Sequence, residues 1–522
     1  MQQSSTFHVY NASAGSGKTF TLVKEYLKIL LTDDIHGNWD IFTFQKILAI
    51  TFTNKAAGEM KERVLFNLEA FADGRLTKIY PKIIEETTLD LATIKERSKK
   101  VLDAILQNYS AFSITTIDSF THKIIKNFAY DLGLPLNFEV EMDSVSLLNE
   151  AVDVLISKIG TDTELTNLLI AYSLDKIDDD KSWDITKELN EFSKILLNEN
   201  DTDHFKNLAN KSIKDFTTLK EKLNKHQQQL KEDFKSIGKH GLELIENEGL
   251  EFNDFNRSTI PKFFNDIKNK GFDFAYSNRS KTIEKAIENH QYYTKKTAED
   301  TIASIEKIVP SINNLFENSK IIYQNFTLNK LALKSIIPLA VLNKINVELE
   351  QIKEDNNIRL NAEFNQLISQ NIKDQPAPFI YERIGQRFQN YFIDEMQDTS
   401  ELQWQNLIPL IDNALAQENA NLLLVGDGKQ AIYRWRGGKA EQFISLGSED
   451  KNPFNITKKI KELETNFRSY SEIIKFNNTF FQHTANFLQN EGYSKIFKDG
   501  NRQKENDKQG GYISLSFLEK EE

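Results

Sequence analysis

Apolar and polar positions fall into three regimes along the chain. Near the start, three short β-branched or aromatic runs, FHVYNAS, KILAITFT and FSITTID, each lead into a segment with helical spacing: KTFTLVKEYLKILL, KAAGEMKERVLFNLEAF and SFTHKIIKNFAYDL. A short buried run followed by a 3.6-residue period reads as a strand followed by a helix, and its repetition predicts a parallel sheet. From about Leu134 to Pro376 the strand signal fades, and stretches such as SKTIEKAIENHQYYTKKTAEDTIASIEKIV carry the period of amphipathic helices. DQPAPF punctuates the end of this region, and alternation resumes with NYFIDE, ELQWQNLIPLIDNAL, NLLLVGD and KELETNFRS. The expected fold is an α/β domain, a parallel sheet with helices on both faces, interrupted by a large all-helical insertion. In numbers, the sheet domain is expected over 1–130 and 377–455 and the insertion over 131–376, far too long for a loop.

Composition narrows the class. A chain of 522 residues is long enough for several domains. No run approaches the roughly 18 apolar residues of a membrane span, and MQQSSTFHVYNASAG lacks the basic and apolar regions of a signal peptide. There is no cysteine, which excludes disulfides, thiolate zinc sites and iron–sulfur clusters within the chain. A reducing, cytoplasmic setting is expected, without a membrane. The net charge of −11 argues against coating nucleic acid by bulk electrostatics. It leaves a local basic groove open, because affinity for phosphates depends on the few cations that touch them.

Chemistry gathers where strands end. ASAGSGKT follows the first strand and opens the first helix. Gly15 and Gly17 let the backbone turn its N–H groups toward phosphate oxygens, and the helix N-terminus adds its positive dipole end. Lys18 can reach the β- and γ-phosphates, and the Thr19 hydroxyl can ligate Mg²⁺. Ala14, Gly15, Ser16, Gly17, Lys18, Thr19 and Phe20 are the candidate nucleotide contacts. Ala12 stands where the strict pattern has glycine, so an ordinary glycine turn is the alternative. YFIDEMQDTS supplies the second half: an apolar strand ending in Asp394, placed to hold Mg²⁺, and Glu395, placed to orient an attacking water. Alone this pair could be a solvated strand end. With a phosphate loop in the same sheet it points to hydrolysis of ATP or GTP.

A third strand end raises a different chemistry. VGDGKQAIYRWRGG closes on an aromatic between two arginines. A ring that stacks on any base, worth about 1–3 kcal/mol, with cations for phosphates, suits single-stranded DNA. A buried Trp435 with arginines at its rim is the alternative. TFTNKAA offers Thr51, Thr53 and Asn54 for phosphate positioning and Phe52 as a wedge against a base, or else a plain strand–helix junction.

In order along the chain, ASAGSGKTFTL, ITFTNKAAGEMKERV, TTIDSF, FIDEMQDTSELQ, LLLVGDGKQAIYRWRGG and LETNFRS resemble motifs I, Ia, Ib, II, III and IV of UvrD/Rep-type superfamily 1A DNA helicases. The ASAGSGKTFT wording and the long insertion before motif II are similar to the RecB/AddA branch. The resemblance covers the first 120 residues or so and Phe388 to Ser469. It implies that Gln430 senses the γ-phosphate while Tyr433, Arg434, Trp435 and Arg436 meet single-stranded DNA. It adds Thr116 and Ser119 as DNA contacts. Many relatives carry histidine where this chain has Asp118, whose carboxylate would repel phosphate unless turned away. The resemblance also places Phe467 against adenine, Arg468 on the γ-phosphate as a catalytic residue with Lys18 and Glu395, and Gln397 with Asp398 as the coupling between hydrolysis and DNA. Gln2 and Gln3 are the candidates for an adenine-reading glutamine.

The resemblance further implies a RecA-like sheet and an incomplete second RecA-like domain beginning at 456–522. Neither a GLEF-like nor an ALTRA-like stretch follows, and no nuclease motif is recognisable, so the chain is expected to be the N-terminal part of a longer protein. The implied activity is a DNA-stimulated ATPase motor of a 3′-to-5′ helicase in double-strand-break repair, with ATP and Mg²⁺ as cofactors. Its implied partners are single-stranded DNA, duplex DNA ends and a second helicase/nuclease-type subunit, with weak or no unwinding by this chain alone. Two alternatives stand beside it: a catalytically silent helicase-like DNA-binding scaffold, and a P-loop ATPase acting on protein or small molecules.

Overall fold

The computed structural model describes residues 6–130, 132, 134, 138–141, 143–178, 185–198, 201, 208, 211–272, 276–373, 387–434, 437–448, 451–499 and 502–517. Gln2, Gln3, Trp435 and Arg436 lie outside the described residues. Two compact units emerge, one of residues 1–144, 196–202 and 353–522, the other of 145–195 and 203–352.

In the first unit β1 (Thr6–Ala12) turns into α1 (Lys18–Leu31). β2 (Ile47–Thr51) leads to α2 (Asn54–Ala72), α3 (Tyr80–Thr87) and α4 (Leu91–Gln107), and β3 (Ile114–Thr116) leads directly to α5 (Ile117–Asn127). β4 (Glu139–Glu141) follows. The helical region runs through α6 (Ser144–Ser157), α7 (Thr163–Asp178), α8 (Thr186–Ser193), α9 (Ile213–Asn247), α10 (Thr259–Lys270), α11 (Tyr276–Glu288) and α12 (Glu299–Asp355). β5 (Ile358–Leu360) pairs in parallel with β4 and precedes α13 (Asn361–Lys373). Sheet strands return with β6 (Asn390–Ile393), followed by α14 (Glu401–Leu415), β7 (Asn421–Gly426), α15 (Ala440–Leu446), β8 (Lys458–Leu463), α16 (Ser471–Thr484) and α17 (Glu491–Asp499).

The main sheet has six parallel strands in the order β3-β2-β6-β7-β1-β8. β2 and β6 are buried at every position, as interior parallel strands must be when helices cover both faces. Alternation along each strand divides the core in two. Phe7, Val9, Leu48, Ile50, Ile393 and Leu424 pack with α5 and α14. Tyr10, Ala49, Phe392, Leu423 and Val425 pack with α1, α2 and α4 on the other face. β8, with the sequence KKIKEL, is a half-exposed edge strand whose lysines discourage further pairing. The segment expected to open a second lobe thus supplies the sixth strand of this sheet, joined to β1.

In the second unit Phe234, Phe263, Phe264, Ile305 and Phe316 form the centre of a helical core. Among the described residues no helix is long and apolar enough to cross a membrane.

Candidate functional site

The sheet order sets the site. β6, β7 and β1 are neighbours, and their register aligns Val9 and Ile393 with Leu424. Their carboxyl ends therefore open at one place, which brings the loop after β1 to the acids after β6 and the turn after β7.

The loop after β1 is built for a phosphate. Gly15 and Gly17 both have left-handed backbones, with φ of 78° and 88°, and Gly17 caps α1. A Cβ at Gly15 would lie 2.6 Å from the Asn466 Oδ1 and 2.8 Å from the Arg468 Cβ, so only glycine admits the segment that packs on it. Ser16 is buried with a hydroxyl that has no protein partner, a group that a phosphate oxygen would satisfy. Lys18 starts α1 and places its Nζ 2.8 Å from both carboxylate oxygens of Glu395. Thr19 follows it on α1, and Phe20 packs against the α1 side of the core.

Asp394 ends β6 and accepts the Glu395 N–H at 3.0 Å. Desolvation at the strand tip, with the like charge of Glu395 beside it, pushes the Asp394 carboxyl up to about 7 despite Lys18 nearby. A carboxyl in that position gains from a cation, and Thr19 with Asp394 is the hard-oxygen set that Mg²⁺ takes alongside phosphate. Glu395 itself sits in a left-handed backbone, φ 52° and ψ 43°, which costs about 1–2 kcal/mol for a side-chain-bearing residue. Strain of this kind persists where the surroundings hold it and is concentrated at functional positions.

A buried amide links this centre to the next strand. Gln397 is 1% exposed, donates to Glu395 Oε2 at 2.7 Å and to Asp398 at 3.2 Å, and accepts the Asp427 N–H at 2.9 Å. Asp398 accepts the Ile432 N–H at 3.3 Å, and burial raises its carboxyl. A continuous polar path therefore runs from Glu395 to the segment carrying Tyr433. Gln430 donates to Asp427 Oδ2 at 2.6 Å, and Lys429 reaches the Ser13 hydroxyl at 3.1 Å.

The segment after β8 closes over the phosphate loop. The Phe467 N–H donates to the Gly15 carbonyl at 2.9 Å, and its exposed ring lies beside Gly17. Arg468 is exposed, with its N–H on Asn466 Oδ1. Gln503 donates to the Ala14 carbonyl and accepts from Asn466, both within 3 Å. Asn466, Gln503 and Asp427 had no signal of their own in the sequence; their roles come from partners distant along the chain.

On the DNA-candidate side the arrangement is looser. Phe52 and Tyr433 stack on each other, ring centres 4.3 Å apart. Thr51 is buried with its hydroxyl on the Thr53 carbonyl. The Thr53 hydroxyl caps α2 by accepting the Ala56 N–H, beside Asn54, which opens the helix. Thr116 caps α5 by accepting the Ser119 N–H and donates to the Ser119 hydroxyl at 2.8 Å. Asp118 accepts from Gln403 of α14 at 3.2 Å, which engages its carboxylate within the domain. Arg434 pairs with Glu441; desolvation raises that carboxyl, but Arg434 and the Tyr493 hydroxyl outweigh it and hold Glu441 down at about 2.

Residues 2–451 match the UvrD/REP helicase N-terminal domain. The chain belongs to that family. Among its relatives is an ATP-dependent helicase/nuclease subunit of Clostridium kluyveri, 28% identical over 90% of this chain and 37% of the relative. The Streptococcus mutans protein of the same name is 25% identical over 96% of this chain and 39% of its own length. The RecBCD enzyme subunit RecB of Buchnera aphidicola is 28% identical over 91% and 38%. The chain thus spans well under half the length of these curated relatives. The family match covers the helical region as well as the sheet, which the six motifs by themselves did not reach.

Proposed function

We propose that the chain is the nucleotide-hydrolysing part of a DNA helicase motor, an ATPase stimulated by single-stranded DNA. The single observation that carries this reading is the convergence of Lys18, Asp394, Glu395 and Gln397 at the ends of adjacent strands, with Gln397 bonded to both Glu395 and the Asp427 backbone. Relatives named as helicase/nuclease and RecBCD subunits support DNA as the track.

In the proposed cycle the phosphates enter the loop at 14–19 and draw Lys18 away from Glu395 onto their own charge. Mg²⁺ held by Thr19 and Asp394 would neutralise charge building on the β- and γ-phosphate oxygens. Glu395, released from the lysine but still held by Gln397, takes the proton of the attacking water. Arg468 approaches the γ-phosphate from the segment that covers the loop, and Phe467 packs on the adenine. Loss of the γ-phosphate shifts Gln430 and, through Gln397 and Asp398, the Phe52–Tyr433 pair. DNA runs across that pair, with Asn54, Thr116, Ser119, Arg434, Trp435 and Arg436 along its path. Movement is 3′ to 5′ by family resemblance, in double-strand-break repair, and the partners are duplex ends and a second helicase/nuclease-type subunit. Alone, the 522-residue chain binds Mg·ATP and unwinds weakly or not at all.

Strand displacement by the purified chain, run beside ATP turnover with and without oligo(dT), tests this reading. Turnover raised by oligo(dT) with little displacement is the expected result. Turnover indifferent to DNA would place the chain with ATPases that act on other substrates.

A further inference from the structure

At the far edge of the sheet lies a groove that the nucleotide and DNA chemistry does not use. β3 ends the strand order and pairs only with β2 among the described strands. Beside it is a cavity of about 410 Å³. α2 and α5 cover opposite faces of the sheet, and each lends the cavity a lysine, Lys61 and Lys123. Arg387, just before β6, supplies a third cation. Lys61 sits 5.5 Å over the Tyr109 ring, and the Arg387 guanidinium sits 5.2 Å over Phe388. Desolvation and the charge of Arg387 lower the Lys123 ammonium, so two cations are held close together, with no carboxylate among the groups acting on Lys123. In a chain of net charge −11, such a cluster is out of keeping with its surroundings and is relieved by an incoming anion.

The groove's other surfaces say which anion. Phe112, Phe120 and Phe388 are 3–6% exposed, so they wall the cavity and offer no open ring faces for stacked bases. The strand edge alongside offers backbone groups of the kind that an extended peptide pairs with. We propose that this edge is a docking site for an acidic, extended segment of a partner protein. The segment lies along β3, puts an aromatic or large apolar side chain into the cavity, and sets carboxylates against Lys61 on one face and Lys123 with Arg387 on the other. This site stands apart from the ATPase reading and does not depend on it.

The test is fluorescence anisotropy of the labelled peptide Glu-Glu-Phe-Glu-Phe-Glu-Glu with the full 522-residue chain. Saturable binding is expected, weakened about tenfold or more in Lys123→Glu/Arg387→Glu and separately in Lys61→Glu, with the thermal midpoint and DNA-free ATP turnover unchanged. Should the charge reversals unfold the protein, Lys123→Ala/Arg387→Ala must still weaken binding. Absence of peptide binding, or binding undiminished in the variants, overturns the proposal. Displacement of the peptide by oligo(dT), or loss of oligo(dT) affinity in the variants, also overturns it and assigns the groove to nucleic acid.

Discussion

The two sides of the site differ in how tightly the chain already holds them. On the nucleotide side Lys18, Glu395, Gln397 and Asp427 are joined by hydrogen bonds of 2.7–2.9 Å between strand ends. On the side facing the proposed DNA path, Phe52 and Tyr433 stack on one another, and the hydroxyls of Thr53 and Thr116 are engaged as helix caps. The contrast follows from chemistry. A phosphate with its metal demands fixed donors and charges, so the scaffold preorganises them before the ligand arrives. A nucleic-acid strand read without sequence preference needs only ring faces and scattered polar groups, which can rearrange as it binds.

That contrast can be broken first at Lys18. Lys18→Ala should lower ATP turnover roughly 10²–10³-fold, the scale for losing one preorganised charge donor at a reacting phosphate, as measured in a coupled assay. Retained turnover would mean the lysine's place on Glu395 is its working position. Gln397→Ala comes next. It removes a bond to a carboxylate and leaves the buried Asp427 N–H without its acceptor, so DNA-stimulated turnover should fall about tenfold or more while oligo(dT) still binds. Equal stimulation in this variant would remove Gln397 from the link between the two sides. Tyr433→Ala should weaken oligo(dT) by about 1–3 kcal/mol in an anisotropy titration and leave affinity for a fluorescent ATP analogue unaltered.

The smallest effect sharpens the comparison most. If Thr53 is a cap and not a contact, Thr53→Ala lowers stability by about 1 kcal/mol in urea denaturation, with oligo(dT) affinity little changed. A large affinity loss without a stability loss would return this hydroxyl to the DNA interface.

The same division governs what was legible in the sequence. The strand–helix alternation and the phosphate loop were readable because periodicity and glycine spacing are local, and β1, β2, β6 and β7 lie where their apolar runs stand. Asp394 and Glu395 were readable because an apolar run ending in acids marks a strand tip. What was hidden depends on distant pairing. The strand β8 joins β1 across more than four hundred residues of sequence, and its half-exposed KKIKEL pattern gave no hint of membership in this sheet. Asn466 and Gln503 act on the phosphate loop only because the fold lays them over Gly15 and Ala14. Thr53 and Thr116 were read for the hydroxyl they carry, whereas a helix N-terminus also takes that hydroxyl. The engagement of Asp118 by Gln403 was likewise beyond any local pattern, since the partner lies on α14.

The central claim is that hydrolysis and DNA are joined through one buried path. It is tested most directly by steady-state ATP turnover of the chain with and without oligo(dT), with Glu395→Gln as the control for contaminating ATPase. The account predicts turnover that rises with oligo(dT) and is lost in Glu395→Gln. Turnover that ignores oligo(dT), or that persists in the variant, would contradict it.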